Sequence, residues 1–308
     1  MTTPPSTSSA GLSRLAGYLF ALGAGAVWGT TGPLSTALYA EGATLTGIGF
    51  WRVLLGVAGL ALCGLVADRD LFRVDKRGLL IVGLGGGLLV ALFEVAYQFG
   101  ISGAGVAGAA ALLYLAPVMV ALVAKPILGE PVTPLRIALA VLVMVGAAMT
   151  VMGGSHAEST GPTSLTAGVI GGLLAAVSYT ATTVMARWAV PRYGVSKVLF
   201  LEILGGTAVL AIVLPLAGRP PAPPTTASAW LYVVALTAGA VLLANFFFFS
   251  GVKRIEAAPT AVAATIEPVV GALLALLLFS QQLTLLGWLG LLLVVGGVAT
   301  GYWKEGAD

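Results

Sequence analysis

The chain has 308 residues, of which 58% are hydrophobic and only 9% charged, and its mean hydropathy is +1.03. Water-soluble domains carry roughly 25% charged residues, so this composition excludes one. A net charge of +3 would suit nucleic acid, but the cations sort by connecting loop, and no nucleic-acid partner is expected.

A helix needs about 20 apolar residues to cross a bilayer. Ten such stretches begin near Leu15, Thr44, Gly78, Gly103, Pro134, Thr166, Ser196, Ser228, Ala257 and Leu283. Their runs are continuous rather than alternating, which excludes a transmembrane barrel. Residues 1–14 read as a short disordered tail. They do not read as a cleaved signal peptide, because the apolar stretch that follows is long and lacks a small-x-small exit.

The first span places Trp28, Thr31 and Ser35 on one face and includes Pro33. The second carries Arg52 and the single cysteine, Cys63, which reads as a packed thiol with no disulfide partner. The third groups Glu94, Tyr97 and Gln98, and its Gly83, Gly85, Gly86, Gly87 run lacks the Lys-Ser/Thr of a phosphate loop. The fourth contains Tyr114 and Pro117. After the fifth, residues 154–165 form a turn-rich linker that includes His156.

The sixth span aligns Ser178, Tyr179, Thr182 and Thr183, and the seventh carries Glu202, placed near one end where it can snorkel. The eighth holds Asn245 and Phe248, and the ninth Glu267 and Pro268. Trp51, Trp230, Trp288 and Trp303 read as interfacial belt or packing residues. Glycine pairs such as Gly25 with Gly29 and Gly168 with Gly172 read as helix-packing positions.

Sliding the chain on itself by 151 positions overlays Gly100 on Gly251, Pro117 on Pro268, Thr133 on Thr284 and Gly146 on Gly297. The same shift pairs Trp28 with Tyr179, Glu94 with Asn245 and Tyr97 with Phe248. Each copy carries five spans, an odd number, so the second must enter the bilayer from the opposite face. The charges agree: 13 of the 15 Lys and Arg fall on alternate connections, leaving Arg219 opposite and Arg52 inside a span. The positive-inside rule then puts both termini in the cytoplasm.

The expectation is an all-α integral membrane protein of ten transmembrane helices in two inverted five-helix repeats. The repeats cover 15–153 and 166–303, joined by the outer linker 154–165 and followed by a short tail at 304–308. Two antiparallel halves around a midplane site are a recurring architecture of secondary transporters.

Ionisable residues inside spans cost roughly 2.5–3.5 kcal/mol each before pairing or snorkelling. Arg52 lies about 12 Å and Glu94 about 8–9 Å below the outer ends of their helices. Two readings are open for them: a buried ion pair, or a substrate-binding or gating role. Glu267 lies about 13–15 Å from the inner face, either as a solute- or proton-binding carboxyl or as one bonded to a neighbouring helix. Pro117 and Pro268 are repeat-equivalent and read as hinges or as static kinks.

The candidate cavity residues are Trp28, Arg52, Glu94, Tyr97, Tyr114, Tyr179, Asn245, Phe248 and Glu267. Neither a catalytic constellation, nor a metal site, nor a cofactor is expected, which leaves a membrane enzyme disfavoured. The partners expected are a small-molecule solute and the lipid bilayer, with the protein acting as a monomer in the cell membrane.

Several motifs carry a resemblance. They are Val27-Trp28-Gly29-Thr30, Phe50-Trp51-Arg52, Ala110 to Val118 with Tyr114 and Pro117, Leu128-Gly129-Glu130, Pro259-Thr260-Ala261 and Ile266-Glu267-Pro268-Val269. Together they resemble the drug/metabolite transporter superfamily, specifically its ten-helix exporters with duplicated EamA-type domains. Gln281 departs from the glutamate usual at that place. The resemblance implies ten helices around a central cavity and export of small metabolites. The aromatic lining is similar to that of the superfamily's amino-acid exporters. A proton-coupled exporter of cationic drugs or amines is the alternative.

Overall fold

The computed structural model describes residues 7–66, 69–153, 164–279 and 283–304, and every regular element among them is helical. The expectations at His156 and Gln281 lie outside the described residues. Among the described residues nine stretches are long and apolar enough to cross a membrane, and the first expected span is divided into two helices.

In chain order the first half contains α1 (Thr7–Trp28), α2 (Thr31–Ala40), α3 (Leu45–Val66) and α4 (Lys76–Gly78). A π-helical stretch, Leu79–Gly86, then leads into α5 (Gly87–Leu113), followed by α6 (Ala116–Leu128) and α7 (Pro134–Met152). The second half contains α8 (Leu165–Tyr193), α9 (Val195–Leu216) and α10 (Ala227–Leu236). After a second π-helical stretch, Thr237–Leu243, come α11 (Ala244–Arg254), α12 (Ala257–Ala264), α13 (Glu267–Phe279) and α14 (Leu285–Lys304).

Local chemistry sets these boundaries. Asp75, Thr133, Ser164 and Thr226 each accept a backbone N–H of the following first turn, relieving donors that a helix start leaves unpaired. Gly129 ends α6 at φ 73°, a left-handed conformation that glycine adopts without a Cβ penalty. The turn between the third and fourth spans is itself helical. Gly100 and Ala109 face each other within α5, so the chain folds back between them.

The prolines do more than kink. The fourth span stops at Leu113 and restarts at Ala116, while the ninth stops at Ala264 and restarts at Glu267. Pro117 and Pro268 occupy the first turns of the new helices, where a missing N–H costs little. The two breaks are 151 residues apart, matching the sequence repeat.

The helices meet through small residues. α5 packs along α8, α7 along α14, and α1 along α11 and α12. A Cβ on Gly103 would lie 2.7 Å from the Gly168 Cα, and one on Gly146 would lie 2.8 Å from the Gly290 carbonyl oxygen. Such approaches supply packing where lipid offers no hydrophobic drive.

Two sequence expectations change. Cys63 is exposed on the outside of α3 rather than packed. Glu202 does not snorkel: it is 2% exposed and turned into the bundle. Both residues sit on helices apolar all round, whose sequence fixes depth but not rotation.

Candidate functional site

The two helix breaks face one another in the middle of the bundle and enclose a small cavity of about 20 Å³, room for roughly one water. Its walls are Trp28, Leu113, Tyr114, Ala116, Pro117, Tyr179, Ala264, Thr265 and Glu267. Proline has no N–H to offer the residue four places back, so Pro117 and Pro268 leave the carbonyls of Leu113 and Ala264 without their helical donors. The break is tightened instead by Leu115 donating to the Leu112 carbonyl and Ile266 to that of Ala263.

Two wall aromatics from different helices, Trp28 and Tyr179, cluster with a third ring, Phe248, that packs against both. Trp28 lies 6.1 Å from Tyr179 and 5.4 Å from Phe248, and Tyr179 lies 5.5 Å from Phe248, centroid to centroid. These spacings and tilts fall within the favourable range for aromatic pairs. The Trp28 indole N–H donates to the Ala240 carbonyl at 3.1 Å. Asn245 donates to the carbonyls of Ala240 and Val241, both at 3.0 Å, at the end of the π-helical stretch. Tyr97 stacks on Phe93 at 5.5 Å and packs in the same cluster as Leu115 and Tyr179.

α1 can come this close because of two glycines. A Cβ on Gly25 would strike the Ala264 carbonyl, and one on Gly29 would lie 2.8 Å from the Glu267 carbonyl oxygen. Both glycines pack α1 against the break of the ninth span.

The profile of the EamA-like transporter family matches residues 15–152 and again 166–302. The chain belongs to that family. A protein of Archaeoglobus fulgidus described as an uncharacterized transporter is 27% identical over 275 residues, covering 89% of this chain and 92% of its own length. A solved crystal structure shares the fold with a TM-score of 0.73 at 24% identity, covering 94% of this chain and 96% of that one. The protein is therefore a multi-pass membrane transporter for small solutes.

Within this EamA-like transporter, Arg52 and Glu94 stand apart from the central cavity. Arg52 Nη2 and Nε donate to one oxygen of Glu94 at 2.5 and 3.1 Å, and both residues are buried. Gln98 accepts from Tyr39 at 3.1 Å beside them. Glu94 also borders a second, larger cavity of about 240 Å³, walled by Leu45, Phe50, Gln98, Phe99, Leu210, Leu214 and Arg219 among others. The structure thus gathers Trp28, Tyr114, Tyr179, Phe248, Glu267 and both prolines at one place. Arg52 and Glu94 lie at another, and Asn245 and Tyr97 in adjoining packing.

A connected polar cluster of this EamA-like transporter lies at the end of the bundle carrying most of the basic residues. Glu130, in the short connection after α6, accepts the Ala257 N–H at 3.0 and 3.2 Å and Arg187 Nε at 2.8 Å. Arg187 also donates to the Val252 carbonyl at 2.6 Å. One carboxylate and one guanidinium thereby tie together the end of α6, the C-terminal part of α8, the end of α11 and the start of α12. Alongside, Arg136 pairs with Glu256, and α6 packs on α12 through Val120, Ala121, Ala257, Ala258 and Ala261. Burial raises the Glu130 carboxyl above its ordinary value, opposed by the Arg187 charge and the Ala257 N–H. In the sequence Glu130 stands out only as part of the Leu128-Gly129-Glu130 motif. The available signal was a charge in a very short connection with no helical partner at i±4.

Proposed function

We propose that the protein is a secondary transporter that exports small metabolites, amino acids foremost, by alternating access. Ten spans in two inverted five-helix repeats, with both termini in the cytoplasm, bring the central cavity to the midplane of the cell membrane. The observation that carries this reading is the pair of helix breaks at Leu113–Ala116 and Ala264–Glu267, facing each other across an aromatic-lined space. Discontinuous helices of this kind serve carriers because half-helix N-termini attract anionic groups while freed carbonyls attract cations. A zwitterion presents both. The starts of α6 and α13 suit its carboxylate, and Glu267 with the Leu113 and Ala264 carbonyls suits its ammonium group. Trp28, Tyr179 and Phe248 offer apolar contact to a side chain.

In this topology the Glu130–Arg187 cluster closes the cytoplasmic side of the central cavity. Under the 151-residue relation Glu130 and Arg187 correspond to Gln281 and Thr36, a neutral pair. The test is efflux: vesicles or cells preloaded with each labelled amino acid lose it faster when they contain this protein. Unchanged efflux across all twenty refutes the substrate class.

Glu267 on the cavity wall favours a second reading, proton-coupled export of cationic drugs or amines. In that case Glu267→Gln abolishes movement driven by an imposed pH gradient while leaving the fold intact, whereas simple facilitation survives the change.

A further inference from the structure

A further buried carboxyl, Glu202, has no place in either cavity. Glu202 is the eighth residue of α9, about 10 Å along the helix from Val195. It is 2% exposed, and its Oε1 has no hydrogen-bond partner. It lies in a seam where α9 and the π-helical stretch approach almost backbone to backbone. A Cβ on Gly87 would lie 2.6 Å from the Gly205 Cα, and one on Gly206 would lie 2.6 Å from Val90. A Cβ on Gly86 would fall 2.7 Å from both the Glu202 Cγ and the Met185 Cε. Val82 of the π-helical stretch, Ala186 and Ala189 of α8, and Val198 and Leu199 of α9 belong to one buried apolar core.

No cation among the described residues reaches this carboxyl. On α3 and α5, Arg52 and Glu94 bind each other. On α8, Arg187 binds Glu130 and the Val252 carbonyl, and Arg192 is exposed over Trp188. The tyrosine ring of Tyr179 faces Trp28 and Phe248, while that of Tyr193 packs on Trp188. Arg69, Lys76 and Arg77 at the foot of the π-helical stretch are exposed, as are Lys253 and Arg254 on α11. Lys197, on α9 itself, binds Asp70.

An isolated ionised carboxylate in such surroundings costs far more than a neutral one, and the group takes up a proton instead. We propose that Glu202 is a proton-binding site, occupied while the α9 seam is closed and released when the seam parts and admits water. A π-helical stretch is a common feature of functional sites within helices, and here it forms the wall opposite the carboxyl. Because linkage is reciprocal, a movement that opens the seam expels the proton, and a proton on Glu202 holds the seam shut. On the transport reading above, this makes Glu202 the coupling site, separate from the solute cavity.

Infrared spectroscopy of the protein in phosphatidylethanolamine–phosphatidylglycerol vesicles tests the site without any solute. Subtracting the spectrum of Glu202→Gln from that of the native protein leaves, at pH 7, a carbonyl band of a protonated carboxyl. Glu202→Asp retains such a band at a shifted frequency, so the assignment does not rest on one variant. Absence of that band at pH 7 overturns the proton site. In the same vesicles, an imposed pH gradient accelerates efflux of a labelled amino-acid mixture for the native protein and not for Glu202→Gln. Equal acceleration in both overturns the coupling role. No efflux in either, with the infrared band present, leaves the proton site standing and refutes the amino-acid reading instead.

Discussion

Glu130 and Ala257 belong to different copies of the sequence repeat, yet the carboxylate of one caps the helix that begins at the other, at 3.0 and 3.2 Å. Glu256, at the cap position itself, makes no side-chain bond to its own helix. Truncating Glu130 to Ala therefore removes the cap of α12 and leaves Arg187 with a single partner. The loss of a cap is worth about 0.5–2 kcal/mol, and an added loss at Arg187 brings the variant to the upper end. Thermal unfolding in detergent measures it, and an unchanged midpoint refutes the capping role.

The same carboxyl predicts a pH response. Burial raises Glu130 above its ordinary value of 4.5, so the closed arrangement binds its proton more tightly than one in which the loop is wet. Acidification toward 4.5 therefore favours closure, and the advantage is lost as pH rises through the raised value. In Glu130→Gln that dependence disappears. Accessibility of a cysteine placed at Ala258 to a water-soluble thiol reagent, followed against pH, reads both cases. A cysteine whose reactivity ignores pH in the native protein contradicts the linkage.

Arg52 and Glu94 predict an asymmetric mutational pattern. Removing one partner leaves the other charge buried and uncompensated, at a cost of about 3–5 kcal/mol. Arg52→Gln with Glu94→Gln removes both charges together and recovers most of that loss. Melting temperatures of the two single variants and the double variant, compared as a cycle, test this. Additive losses show that the two groups do not interact.

Phe248 is 2% exposed and touches both Trp28 and Tyr179. Phe248→Ala opens a void beside the central cavity and destabilises by about 3–5 kcal/mol. Tyr179→Phe keeps the ring and leaves stability nearly unchanged. A transport defect in Tyr179→Phe without a stability defect would assign its hydroxyl to the solute.

Cys63 offers a simple check on the membrane-facing surface. Its exposure is on a helix apolar all round, and a thiol needs water to ionise and react. Water-soluble maleimides label it slowly in liposomes and quickly after unfolding. Cys63→Ser is expected to be silent, giving a cysteine-free background for the accessibility measurements. Fast labelling in intact liposomes means that this face of α3 borders water.

Depth was readable from the sequence and rotation was not. Arg52 and Glu94 could be brought to a common depth by counting residues, because each is too costly in lipid to be incidental. The breaks at Pro117 and Pro268 were located by the missing N–H, although the sequence suggested bends where the structure ends one helix and starts another. The difference arises because Tyr114–Leu115 and Thr265–Ile266 close into tight turns before each proline. Glu202 was misplaced because the glycine seam that draws it inward involves Gly86 and Gly205, which are 119 residues apart. Glu130 was missed for the same reason: its partners Arg187, Val252 and Ala257 all lie in the other copy.

The interrupted fourth and ninth spans change what bending demands of this molecule. A continuous rod must rupture backbone ladder bonds to flex at mid-depth, in surroundings with no water to replace them. Here that ladder already lacks its rungs at Pro117 and Pro268, so the stubs on either side can swing with fewer backbone bonds to rupture. The resistance to such a swing then comes from side-chain packing and from the ionic tie at its base, both adjustable by single residues.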